Sequence, residues 1–338
     1  YLWHWPLLAF YRYAVEYSPS YTGLACLIGL TFVASYLSWR FVERPFRKSG
    51  PVFSLPSWSV PVGASAAVLM AATSIIAFSG IPGRLPPMAL KFAAGETDIS
   101  PKRNDCHGRP VAKSCTLGGQ RADLAVWGDS HGVEVGYALS REREDRGGGL
   151  TITSSKCPPT LDYTPIGRPN CPKRNSEILA YLLDQSSVDT VLLIASYETY
   201  FAHDSSAFQD GFRRVVQKLE GAGKRVIISG PIPSLEIPVP TRAAVKVLRG
   251  DFTPLTISKA SFIQSSANVV RMMDELENEF PSIRIANSSD AFCDDSVCRF
   301  TLKGRALFFD RHHPSVLGAS LMVPILDSTS KMSLGVEE

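Results

Sequence analysis

Residues 122–142 read ADLAVWGDSHGVEVGYALSRE. The first six, ADLAVW, are an apolar run of strand length. From about residue 131 to 143 the pattern becomes amphipathic, as a helix requires. The turn between them holds Gly128, Asp129, Ser130 and His131. A hydroxyl there sits at a helix N-terminus, where unpaired N–H groups and the positive end of the dipole favour a developing oxyanion. The alternative is that Asp129 and Ser130 are plain helix caps, a role both residue types often fill.

Outward from this unit the same alternation repeats. LTITS (150–154), TVLLIA (190–195), RVIISG (225–230) and IRIAN (283–287) are further strand-length apolar runs. Amphipathic stretches fall at roughly 131–143, 174–186, 205–220 and 258–280, and a last one follows Pro314. Strands alternating with helices predict an α/β fold, a three-layer α/β/α domain around about five parallel strands. Functional groups then belong on loops at the carboxyl ends of the strands.

A second such loop is FFDRHHPSVLGA (308–319), just before the last helix. Its Asp310 and His313 are three residues apart. That spacing lets Asp310 hold one ring nitrogen of His313 while the other turns toward Ser130, the orienter and base of a serine nucleophile. His312 and His131 read as bystanders, and His107 and His203 as surface residues.

The 338 residues are 45% hydrophobic and 20% charged, which excludes wholesale disorder, collagen and coiled coil. The net charge of +3 is unevenly placed. Residues 1–83 hold Arg12, Arg40, Arg44, Arg47 and Lys48 against Glu16 and Glu43, so all of the excess lies there. The remainder is neutral, which argues against a nucleic-acid partner.

Two long uncharged runs, Tyr17–Trp39 and Ser49–Gly83, are each long enough for a membrane span, which needs about 20 residues. Buried helices in a soluble core are the alternative, but such helices normally carry charge on one face. Neither run has the basic region and cleavage site of a signal peptide. Between them WRFVERPFRKSG (39–50) carries four of the five basic residues. By the positive-inside rule this loop faces the cytoplasm, and everything after about Arg84 lies outside. Residues 84–120 show no clear periodicity and read as an extracytoplasmic linker or extension.

Cys26 falls within a span, and the other six cysteines fall in the exported part. An even number in an oxidising compartment predicts disulfides, and the short spacings favour Cys106–Cys115, Cys157–Cys171 and Cys293–Cys298. A zinc site is the competing reading. No CxxC is present and the pairs are far apart, so no metal is expected.

GDSH after the first strand and DxxH before the last helix resemble the first and last blocks of the SGNH (GDSL-like) esterase family, over about residues 121–330. The resemblance implies Ser130 as nucleophile with His313 and Asp310 completing a triad. The family also uses a Gly after its second strand and an Asn after its third as oxyanion donors. Here TSSKCPP and IASYETY stand at those places, so the candidates are the Ser130 N–H, Ser155 (beside Ser154) and Tyr197.

Residues 1–83 resemble the last spans of the acyltransferase-3 membrane proteins, in YLWHWPLL, a span, then RFVERPFRK and a further span. In that family such spans can lead to an exported SGNH domain. The resemblance implies further spans upstream, and an enzyme of the bacterial inner membrane with its C-terminal domain in the periplasm. It also implies O-acetylation of a surface glycan such as lipopolysaccharide O-antigen. Acetyl-CoA would be the acyl donor to the full-length protein, with no cofactor bound to this part. The membrane, the glycan acceptor and the acyl donor are the expected partners. A periplasmic carbohydrate esterase with the same triad and a non-catalytic glycan-presenting module are the alternatives.

Overall fold

The computed structural model describes residues 2–15, 19–44, 59–78, 80, 82–119, 122–143, 148–153 and 157–327. The chain divides into two compact units, Tyr1–Leu90 with Ala244–Asp251, and Lys91–Ala243 with Phe252–Glu338.

The first unit is helical. His4–Val15 is a helix, and Tyr21–Leu37 is a second that continues through a wider π-helical turn at Ser38–Glu43. Ser20 starts the second helix by accepting the N–H of Gly23 at 3.1 Å. The 23 residues from Tyr21 to Glu43 are long and apolar enough to cross a membrane. Their large side chains are exposed: Phe32 is 72% accessible and Ile28 51%. A third, uncharged helix covers Ser59–Ala77 and also exposes apolar residues, among them Leu69 and Ile76. The core of the basic loop, residues 45–50, lies outside the described residues.

The second unit is built on a six-stranded sheet in the order β1-β3-β2-β4-β5-β7. Its strands are β1 (Cys115–Leu117), β2 (Ala122–Gly128), β3 (Gly148–Thr153), β4 (Thr190–Ile194), β5 (Arg225–Ser229) and β7 (Arg284–Ala286), with β6 (Thr256–Ser258) outside it. Five of the six are parallel, and β1 runs antiparallel along β3. The central strands β2 and β4 are buried on both faces, so their apolar runs are continuous.

Successive side chains point to opposite faces of the sheet. Ala125, Trp127, Val191, Leu193, Val226 and Ile228 pack with the helices Cys171–Asp184, Ser205–Gly221 and Lys259–Glu279. The helix Gly132–Glu142 lies over β2 and β3 and is packed against Val316–Leu326. The result is a three-layer α/β/α domain, preceded in the chain by apolar helices.

The stretch 84–120 is more ordered than its sequence suggests. It contains short helices at Pro87–Ala93 and Arg103–Cys106, and it ends in β1. Each element is too brief to show a period, which hid them from pattern reading. Three disulfides join Cys106–Cys115, Cys157–Cys171 and Cys293–Cys298, the local pairs that the spacings favoured. The last lies beside a small antiparallel pair of β6 with β8 (Val297–Arg299).

Candidate active site

The carboxyl end of β2 positions the nucleophile candidate. Gly128 lies between β3 and β4, and a Cβ there would strike the carbonyl oxygen and side chain of Ile194. Only glycine lets the strand run this close to its neighbour before it turns into the helix. Asp129 and Ser130 follow, and the helix starts at Gly132.

Neither residue caps that helix through its side chain. Asp129 is buried and gathers donors: the N–H of His131 at 2.9 Å, the N–H of Ser196 at 3.0 Å and the Tyr200 hydroxyl at 2.8 Å. The His131 Nδ1 lies 3.3 Å away. Burial would raise the Asp129 carboxyl, but His131 and these hydrogen bonds hold it well below the usual carboxylate range. Burial acts against the charged form of His131, yet the charge of Asp129 raises it above the ordinary imidazole value.

The hydroxyl of Ser130 is 2.6 Å from Nε2 of His313. Nδ1 of the same ring is 2.7 Å from Oδ2 of Asp310. The other carboxylate oxygen of Asp310 accepts the N–H of His312 at 2.9 Å and of His313 at 2.8 Å. The DxxH turn thus closes on itself and fixes the carboxylate and imidazole as one unit. The three groups that the sequence separates by 183 residues form a continuous hydrogen-bonded line.

The His313 side chain is 13% exposed and that of Asp310 34%. Burial lowers the His313 pKa below the ordinary imidazole value, and the charges of His131 and Arg103 act the same way, against the opposing pull of Asp310. The ring is therefore neutral at neutral pH, the form a general base requires. Burial would raise Asp310, but its hydrogen bond to His313 and its backbone donors keep it well below the usual range.

Two histidines that read as bystanders belong to the site. The ring of His131 stacks on His313 at 4.5 Å between centroids and on His312 at 5.1 Å. His312 is pushed down to about 3, by burial and then by the charges of His131 and His313. His107 is half-buried, not a surface residue, and burial with the Arg103 charge lowers it too. His203 is exposed as expected. The ring nitrogens of His131, His312 and His313 lie within 4.8 Å of one another, a spacing that could hold a metal. The donors are already engaged, however: His313 bonds Ser130 and Asp310, and the raised His131 faces Asp129 and the carbonyl of His312.

The oxyanion candidates fare differently. Tyr197 does not reach the site: its side chain is fully buried, its hydroxyl meets the Leu193 carbonyl at 3.4 Å, and its ring packs edge-on against Phe212. The short helix Tyr197–Phe201 begins at this residue and turns it back into the core. Ser154 and Ser155 lie outside the described residues.

Arg103 is a site neighbour that pattern reading missed. It forms a bidentate pair with the fully buried Glu134 at 2.7 and 2.6 Å. Its guanidinium lies 5.0 Å over the ring of Phe309. Phe309 in turn stacks on His313 at 5.2 Å and 11°.

A mostly parallel α/β sheet with a serine just past the end of β2, in line with a histidine and an aspartate from the turn before the last helix, defines an SGNH-hydrolase-like domain. Residues 102–328 match the profile of the SGNH domain (fused to AT3 domains), and the chain belongs to this family. Among solved structures, the fold is similar to the periplasmic domain of a lipopolysaccharide acetyltransferase from Salmonella ser. Paratyphi A. That match has 17% identity and a TM-score of 0.53, covering 71% of this chain and 95% of that one. A catalytic mutant of Axe2, an acetylxylan esterase from Geobacillus stearothermophilus, aligns at 15% identity and a TM-score of 0.36, over 62% of this chain and 93% of that one. A search of curated proteins found no match.

Proposed function

We propose that the chain is the C-terminal part of a membrane-bound O-acetyltransferase that modifies a bacterial cell-surface glycan, such as lipopolysaccharide O-antigen, through an acyl-enzyme on Ser130. The observation that carries this reading is the line Ser130–His313–Asp310, with contacts of 2.6 and 2.7 Å, in a chain of a family named for its fusion to AT3 domains. The exposed apolar surface of residues 21–43 supports one span, and the exposed side chains of the shorter apolar helix 62–77 are in keeping with a second. The three disulfides fit an extracytoplasmic, oxidising location.

In the reaction, His313 takes the proton of Ser130 as the hydroxyl attacks the acetyl carbonyl. Asp310 keeps the ring oriented and stabilises the imidazolium. The N–H of Ser130, at the helix N-terminus, faces the oxyanion. The leaving group departs with the proton from His313, and an acetyl ester remains on Ser130. Acetyl groups arrive from cytoplasmic acetyl-CoA through the membrane domain.

The reading is tested in cells that carry the full-length protein with Ser130→Ala. O-acetyl esters on the surface glycan should disappear while the protein still accumulates. Unchanged acetylation would contradict the role of Ser130. Acetylation that rises instead would identify a de-acetylating esterase.

A further inference from the structure

Asp129 and His131 form a second carboxylate–imidazole pair beside the one made by Asp310 and His313. The two pairs are alike at Nδ1. That of His131 lies 3.3 Å from Oδ1 of Asp129, and that of His313 lies 2.7 Å from Oδ2 of Asp310. They differ at Nε2. On His313 it faces the Ser130 hydroxyl at 2.6 Å, which can donate to the ring. On His131 it faces the backbone carbonyl of His312 at 3.2 Å, which can only accept. His312, pushed down to about 3 and so neutral, offers its Nδ1 to the same nitrogen at 3.3 Å. A neutral imidazole has one donor and one acceptor nitrogen, whereas an imidazolium has two donors. His313 is therefore satisfied as a neutral ring, and His131 as a cation.

We propose that His131 is a positioning residue, a fixed imidazolium stacked on His313 that keeps the base ring unprotonated until Ser130 attacks. This rests on the acyl-enzyme reading above. The two rings are 4.5 Å apart between centroids and 29° from parallel. A like charge at that range disfavours a second imidazolium. The stack therefore holds one positive charge at rest, and Asp129 decides which ring carries it. Asp129 is built to stay ionised. It is buried, and it accepts the N–H of His131 at 2.9 Å, the N–H of Ser196 at 3.0 Å and the Tyr200 hydroxyl at 2.8 Å. No such donors converge on His313 from outside its own turn, where Asp310 is the facing carboxylate.

The charged and titratable groups that face His131 are Asp129, Glu198 from the short helix after β4, and Asp310, His312 and His313 from the DxxH turn. Burial opposes the charge on His131. The attraction of Asp129, and then of Glu198 and Asp310, outweighs it, so the ring titrates above the ordinary 6.5. The same charge acts during the reaction. When His313 takes the Ser130 proton it becomes the second cation of the stack, and its imidazolium is a stronger acid for that reason. The proton then passes from Nε2 of His313 to the leaving oxygen, while His131 keeps both of its own protons throughout.

The test uses the full chain purified in detergent. In the wild type, ¹⁵N-histidine NMR reads the charge of each ring, the His131 signals being those that vanish in His131→Gln. At pH 6.5 His131 should be predominantly the doubly protonated ring and His313 predominantly the neutral one. The pH–rate profile of p-nitrophenyl acetate turnover reads the effect on the base. In His131→Gln, and in Asp129→Asn/His131→Gln, which leaves no stranded carboxylate, the acid limb should lie about one unit higher than in the wild type. A structural role alone would lower the rate at every pH and leave the limb in place. The proposal is overturned if His131 is the neutral ring at pH 6.5, or if the limb stays put in both folded variants. A wild type without turnover would remove the acyl-enzyme reading, and with it the role of His131 in the reaction. The NMR charge states distinguish that failure from a failure of the ion pair itself.

Discussion

Arg103 stands over the ring of Phe309 at 5.0 Å, and Phe309 stacks on His313 at 5.2 Å. A cation from the stretch before the sheet is thereby fixed one aromatic ring from the proposed general base. Glu134 holds it there, and the Cys106–Cys115 disulfide lies just beyond it in the chain. A nearby positive charge disfavours the imidazolium.

The pH profile should report this arrangement. His313 works as the neutral ring, so activity is present above its pKa and is lost as pH falls through it. Its pKa is lowered from the ordinary 6.5, so the acid limb of ester turnover should lie below that value. The titratable and charged groups that act on the ring are Asp310, His131, Arg103, His312 and His107. The double variant Arg103→Gln/Glu134→Gln removes the cation without stranding a buried carboxylate. Its acid limb should move to higher pH. An unmoved limb would show that Arg103 acts only on packing.

Asp310→Asn should reduce turnover of p-nitrophenyl acetate by about ten-thousandfold, the scale seen when an orienting carboxylate becomes an amide that favours the wrong tautomer. Folding should survive, because the amide oxygen can still accept the two backbone N–H groups at 312 and 313. Near-native turnover in this variant would remove Asp310 from the mechanism.

Asp129→Asn addresses stability. The carboxylate is the charge partner of a histidine that is 3% exposed. Removing one member of a buried pair costs about 3–5 kcal/mol. Urea unfolding should show a loss of that size, and a change below about 1 kcal/mol, the worth of a surface pair, would contradict the pairing.

The disulfides should contribute unequally. Cys157–Cys171 closes 14 residues and Cys293–Cys298 only 5. Loop-closure entropy gives about 3 kcal/mol for the first and about 2 kcal/mol for the second. Paired Cys→Ser variants, compared by denaturant midpoint, should follow that order. The reverse order would point to interactions beyond chain entropy.

Much of this site was legible in the sequence because its parts flank clear elements, Ser130 following a strand and Asp310 and His313 preceding the last helix. ADLAVW places Ser130, and the DRHHP turn places Asp310 and His313. The local cysteine pairs were legible for a similar reason, since their spacings are short. The roles of His131 and His312 were not, because their contact spans 181 residues and leaves no local pattern. Arg103 was hidden in the same way, by a four-residue helix too short to show a period. Tyr197 misled for a geometric reason. It stands three residues past the end of β4, where the chain has already begun to turn back into the core.

The most direct test of the central claim is the site of acylation. The full chain would be pulsed with p-nitrophenyl acetate, quenched in acid and digested for peptide mass spectrometry. The account predicts an acetyl ester on Ser130, absent in His313→Ala and discharged when a glycoside acceptor is added before the quench. Acetylation at another residue, or at Ser130 to the same extent without His313, would contradict it.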